Sequence, residues 1–302
     1  MMKQKVKAKD SVLKIRRAVR PPKDSDWALL LSDRHKKQMS AYLAYLRDVG
    51  NTLPETAAFF KEIENSEKWM EIQAVDAYLR ILNFSPEFLG CHPEARGKFT
   101  ILGHFFYIIP KGVKGKPEKL NLEDEQVKLL LDIVLDKTTM VTEKWGPLVP
   151  FTDVQKIYTV WLASGHFYPL VIDLVKCEVW IFDSMAITTN KAQRENRYLK
   201  TLSLRRILPA ILKDSGFYDV RNLKPVFREW DLRFAYKDYC FIQEDSVSCE
   251  PFALKMMVVL VSRRALPYIT EENMKFIRRS IAERIFSYSK PAKKPEKEDS
   301  TK

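Results

Sequence analysis

Three short apolar runs separated by small polar breaks occupy the middle of the chain. "KIYTVWL" (156–162), "FYPLVIDL" (167–174) and "EVWIFD" (178–183) are rich in β-branched and aromatic residues and predict strands. "FREWDLRF" (227–234) alternates apolar and polar positions and suits an exposed strand. On either side the pattern turns helical. In "EIQAVDAYLRILNF" (71–84), Ile72, Val75, Tyr78, Leu79 and Leu82 share one face. A helix is also predicted over 35–50, where Gly50 is a stop, and 53–69 continues it. Further helices are predicted over 123–136, over 190–216 with a kink or break at Pro209, and over 250–267 and 270–289. "KFTILGHFFYIIP" (98–110) carries both signals, and "GVKGKPEKLN" (112–121) reads as a surface loop. Helices around a central group of strands predict one α+β domain over 27–289, between a basic tail (1–26) and a charged one (290–302).

The composition agrees with one large domain: 46% of the 302 residues are hydrophobic and 12% aromatic. No apolar run reaches the roughly 18 residues of a membrane span, and "MMKQKVKAKDS" lacks the apolar core of a secretory signal. Four scattered cysteines, with no CxxC pair, suggest a reducing compartment, the nucleus ahead of the cytoplasm, and neither a disulfide scaffold nor zinc. No cofactor is expected. The net charge of +12 lies mainly in the tails: residues 1–24 hold nine Lys/Arg against two Asp. Such tails are ordinarily solvated, and nuclear import or loose polyanion contact is the sharper alternative. Nucleic-acid binding as the main function rests on the tails alone.

Candidate chemistry begins in "GHFYPLVIDLVKCEVWIFDS" (165–184). With a hairpin turn at "VKCE" (175–178), Asp183 falls opposite Leu170. The period-two alternation of a strand then puts His166, Tyr168, Leu170 and Asp183 on one face and Asp173 on the other. Asp183 is therefore the carboxylate able to meet His166. The offset of about 13 Å along the strand at this register requires twist, or a bend near Gly165. Downstream, "FIQEDSVSCEPFALKMM" (241–257) sets Cys249 at a predicted helix start, with Pro251 in the first turn. Free N–H groups and the helix dipole stabilise a thiolate there. Gln243, six residues earlier, carries an amide able to donate to an oxyanion. Singly, each residue has an ordinary structural explanation: a strand-end histidine, a loop glutamine, a small inert cysteine.

Taken together, His166, an Asp 17 residues on, and Gln243 and Cys249 six apart resemble the ubiquitin-like-protein-specific (SUMO-type) cysteine proteases, which are papain-like. "KWMEIQAVDAYLRIL" (68–82) is similar to that family's early Trp-led helix, and 263–286 to the helical end of its plant and transposon-derived members. The resemblance spans about 55–289. It implies a papain-like α+β fold with a mostly antiparallel sheet, and a monomer acting on a ubiquitin-like modifier and its conjugates, without a membrane. It also implies that Cys249 attacks the carbonyl after a Gly-Gly end, with His166 as base and Asp183 orienting the imidazole. Gln243 would line the oxyanion hole, and Trp69 and Phe167 would flank a narrow substrate tunnel.

Two departures stand at the nucleophile, where the family reads Asp-Cys-Gly and this chain reads Ser248-Cys249-Glu250. A negative charge beside a thiol raises its pKa and opposes activation. Phe167 also replaces the tryptophan that normally follows the histidine, keeping an aromatic wall without an indole N–H. The expectations are therefore an active deconjugating peptidase or, alternatively, a weak or inactive protease-like domain that binds a ubiquitin-like protein or derives from a mobile element.

Overall fold

The computed structural model describes residues 54–84, 99–101, 153–186, 189–235, 241–262 and 273–289. The helices expected over 35–50 and 123–136, the loop over 112–121 and both tails lie outside the described residues. In chain order the elements are α1 (Pro54–Glu64), α2 (Ile72–Phe84), β1 (Phe99–Ile101), β2 (Lys156–Ala163), β3 (His166–Asp173) and β4 (Glu178–Ile181). They continue with α3 (Lys191–Leu199), α4 (Leu202–Asp214), α5 (Phe217–Val220), β5 (Asp231–Phe234), α6 (Cys249–Ser262) and α7 (Met274–Ser289).

The five strands form one sheet in the order β1-β2-β3-β4-β5. Its centre is an antiparallel meander, β2 to β3 to β4, and a short strand pairs parallel at each edge. Two apolar cores cover the two faces. Phe167 and Val171 of β3 join residues of α1, α2, α6 and α7 on one side. Tyr168, Leu170 and Ile172 join α4, α5 and Trp230 on the other. Alternation along the strand produces this division. Every residue of β3 is buried, which is why its sequence is nearly continuous in apolar residues.

The β3–β4 register differs from the sequence expectation by two residues. Leu170 pairs with Ile181, not with Asp183, and the turn is Leu174–Cys177. Turn chemistry is the cause. Oδ1 of Asp173 accepts the backbone N–H groups of Val175 (3.2 Å) and Lys176 (2.9 Å), closing the turn directly after the strand. Cys177 completes it at φ 58°. The helical stretch 190–216 also breaks elsewhere than expected. It divides between Leu199 and Leu202, and Pro209 lies buried inside α4. Of the strand expected over 227–234, only Asp231–Phe234 is extended and paired. The basic residues Arg205 and Arg206 of α4 engage Glu229 at 2.8 and 3.5 Å.

The β2–β3 hairpin turns through two residues, Ser164 (φ 53°) and Gly165 (φ 72°), the left-handed pair of a type I′ turn. A Cβ built on Gly165 would lie 3.1 Å from Cη2 of Trp69. Gly165→Ala therefore meets both backbone strain and the indole ring. It should lower unfolding free energy by about 1–2 kcal/mol in urea titration. An unchanged midpoint would show that the turn is not strained.

Candidate functional site

The head of β3, the central strand, and the start of α6 meet at one end of the sheet. His166 is the first residue of β3 and pairs with Ala163 across the tight turn. β4 ends at Ile181, but Phe182 still donates its N–H to the Pro169 carbonyl (3.1 Å), which carries the next residue, Asp183, alongside the head of β3. Nε2 of His166 lies 2.9 Å from Oδ1 of Asp183, and both side chains are buried. The two-residue change of register keeps Asp183 on the expected face and shortens its offset from His166 to about 7 Å along the strand. Asp173 caps the hairpin turn and lies 3.7 Å from Lys156.

Asp183 is held from three sides. The Met185 N–H reaches Oδ1 at 2.8 Å, and the Tyr198 hydroxyl of α3 donates to Oδ2 at 3.0 Å. The Tyr198 ring stands edge-on to Tyr168 and lies 4.7 Å, centroid to centroid, from Phe234 of β5. The sheet thus positions the donor that fixes the second carboxylate oxygen. Nothing in the spacing of "RENRYL" points to this role.

Cys249 opens α6, as its place before an apolar helix predicts, and is 1% exposed. Burial pushes its thiol well above the ordinary value, and the adjacent Glu250 carboxyl pushes it further; a backbone hydrogen bond from Phe167 draws it down. Sγ of Cys249 donates to Oε2 of Glu250 at 3.4 Å. Nδ1 of His166 is buried and forms no hydrogen bond. The thiol thus bonds to the side chain that replaces glycine, and the imidazole nitrogen opposite the Asp183 contact is unoccupied.

Gln243 joins the two halves. Its backbone N–H donates to the Ser184 carbonyl (2.9 Å), and its Oε1 accepts the Ser184 hydroxyl (2.9 Å). Its Nε2 donates to the Asp245 carbonyl and Oδ1, each at 3.0 Å. Oδ1 of Asp245 also accepts the N–H groups of Val247 (3.0 Å) and Ser248 (2.8 Å), shaping the turn into α6. Burial alone would raise the Asp245 carboxyl, but these hydrogen bonds from Ser248, Val247 and Gln243 outweigh it and leave it below its ordinary value. Trp69, 51% exposed, lies over Gly165 and donates its indole N–H to the Ser246 carbonyl (3.1 Å). It therefore touches both the turn before His166 and the loop before Cys249. Phe167 is buried below. Ser184, Tyr198, Asp245 and Arg278 complete this surround and were not singled out by the motif. Arg278 alone leaves a trace in the sequence, as a charge on the apolar stripe of α7.

Glu250 is fully buried, and desolvation pushes its carboxyl up to about 7. A raised acid binds more protons in the folded than in the unfolded state, so its contribution is present below its ordinary value of 4.5 and is lost as pH rises through about 7. Glu250→Gln should remove that decline between pH 5 and 8, on the order of 3 kcal/mol, in urea unfolding curves. Equal slopes for both proteins would refute the burial argument. Glu250→Gly should lower the thiol pKa and raise iodoacetamide alkylation of Cys249 at pH 7 by about tenfold, read by mass spectrometry.

Residues 135–291 match the model of the Ulp1 protease family, C-terminal catalytic domain. Among curated proteins no sequence matches the chain. A structure of the SUMO protease Ulp1 with its catalytic cysteine oxidized to a sulfenic acid is similar in fold, with a TM-score of 0.50 and 14% identity, over 85% of this chain and 96% of that one. The Ulp1-like SUMO protease catalytic domain of Chaetomium thermophilum aligns at a TM-score of 0.43 and 18% identity, over 72% of each chain. The family match covers more than half of the 302 residues and includes His166, Asp183, Gln243 and Cys249. The chain belongs to the Ulp1 protease family and carries its catalytic domain.

Proposed function

We propose that this protein is a cysteine peptidase that cleaves the peptide or isopeptide bond after the Gly-Gly end of a ubiquitin-like, SUMO-type modifier. The observation that carries the reading is the buried 2.9 Å contact of His166 with Asp183 at the head of β3, next to a helix whose first residue is Cys249. Asp183 fixes the imidazole through Nε2, leaving Nδ1 to take the thiol proton. The thiolate attacks the carbonyl carbon, and the Cys249 N–H donates to the developing oxyanion, joined by the Gln243 amide once its Nε2 turns from Asp245. His166 returns the proton to the leaving amine, and water then hydrolyses the thioester. Trp69 flanks the approach, where glycines at the cleavage point pass most easily, while Phe167 is buried in the core. For the first step, Sγ must turn from Glu250 toward His166.

That requirement also favours a second reading. A thiol raised by burial and by a neighbouring carboxyl is a weak nucleophile, so the domain could bind a ubiquitin-like protein without cleaving it. Ubiquitin-like proteins bearing a C-terminal electrophile separate the two. The peptidase reading expects an adduct on Cys249, seen by peptide mapping, that is lost in Cys249→Ala. Binding without an adduct, under conditions that label an active control protease, would leave only the second reading.

A further inference from the structure

Arg278 is a long cationic side chain in the second turn of α7, and it is fully buried. It lies on the stripe formed by Met274, Ile277, Ile281, Ala282 and Ile285, which packs into the core beneath α1 and α2. A hydrophobic residue would suit that stripe, because burying a charge costs several kcal/mol unless it is paired and hydrogen-bonded. Its guanidinium reaches three carbonyls from three separate segments. Nη1 donates to Ile63 in α1 (3.3 Å), and Nη2 donates to Lys68 (2.7 Å) and Val247 (3.0 Å). The carboxyls of Glu250 and Asp245 supply the opposing charge.

The partners are placed where the site needs them. Lys68 immediately precedes Trp69, and Val247 lies two residues before Cys249. The Trp69 indole N–H goes to Ser246, the neighbour of Val247. Two connections therefore run side by side, from 68–69 to 246–247, and one of them passes through Arg278. Trp69 itself is half exposed, with little packing of its own to hold it. We propose that Arg278 is a positioning residue of the peptidase site, fastening the segment that bears Trp69 to the loop that bears Cys249 and so setting the width of the substrate passage. The inference rests on the assignment of Trp69 and Cys249 to that site.

The planar fork explains why arginine is required. A lysine keeps the charge opposite Glu250 but is a point donor that cannot span carbonyls from separate segments in fixed geometry. Arg278→Lys should therefore loosen the Trp69 segment while leaving the surroundings of the thiol charged as before.

The test compares wild type and Arg278→Lys in two reactions of Cys249. Labelling by a ubiquitin-like protein with a C-terminal electrophile, which must thread past Trp69, should slow about tenfold or more. Alkylation by iodoacetamide, which needs no threading, should stay within about threefold. Equal slowing of both reactions, or of neither, overturns the proposal. Should wild type not label at all, the peptidase reading fails and NMR decides the role of Arg278 alone. Four separate Nη–H signals in wild type, with Trp69 indole exchange about tenfold faster in Arg278→Lys, support the fastening. An averaged guanidinium signal or unchanged indole exchange overturns it. If Arg278→Lys does not fold, the wild-type guanidinium spectrum decides by the same criterion.

Discussion

β3 has no face open to solvent, and the rest of the molecule is arranged around that constraint. Tyr168, Leu170 and Ile172 are committed to one core, and Phe167 and Val171 to the other. A slip of one residue would exchange the two sets and expose both cores to misfit, so packing excludes odd slips against β2 and β4, and the Asp173 turn selects among the even ones. His166 inherits its position from this. It is the first position of the strand, directly after the left-handed Ser164-Gly165 turn, and its partner Asp183 lies where β4 runs out of ladder. The polar chemistry sits at the end of an apolar framework and is located by it.

The strands were legible because full burial on both faces requires β-branched and aromatic residues throughout. Face parity was legible too, since a register error of two leaves it unchanged, and Asp183 remained the carboxylate able to meet His166. The register itself was not legible, because it depends on Asp173 folding back onto Val175 and Lys176, a side-chain preference that competes with continued pairing. Pro209 misled in the opposite direction. Its missing N–H is tolerated inside α4 because Leu208, Ile211 and Leu212 around it are buried, and their packing outweighs one lost helical hydrogen bond. Tyr198 and Ser184 carry no spacing signal, because they reach Asp183 and Gln243 through tertiary contact alone.

Two carboxyls near Cys249, Asp245 partly buried and Glu250 fully buried, show how burial and local hydrogen bonding together set protonation. Asp245 gathers N–H groups from Val247 and Ser248 and the Gln243 amide, and is drawn below its ordinary value. Glu250, five residues on, is raised toward neutrality, and Oε1 forms no hydrogen bond. Arg278 faces both and is itself lowered by burial. An acid poised near neutrality beside a thiol makes the charge of this corner depend on pH in a range where glycine at the same position would leave it fixed.

The same corner explains why the departure from Asp-Cys-Gly need not dismantle the site. Burial is the largest influence on the Cys249 thiol and Glu250 the next, while the helix start and the Phe167 backbone act in the opposite direction. The contacts of His166 with Asp183 and of Gln243 with Ser184 stand without any contribution from Glu250. What the glutamate changes is the resting partner of the thiol. The proposed peptidase step requires an S–H bond to Oε2 to be exchanged for one to Nδ1 of His166, which forms no hydrogen bond. Both are single hydrogen bonds to a buried acceptor, so the difference between them is modest and is set by the charge on Glu250. Below the Glu250 transition the neutral carboxyl holds the thiol weakly, and above it the carboxylate holds it more firmly and opposes the thiolate. The hydrogen bonding of the Cys249 thiol is thereby coupled to one buried proton, which a glycine at position 250 could not supply.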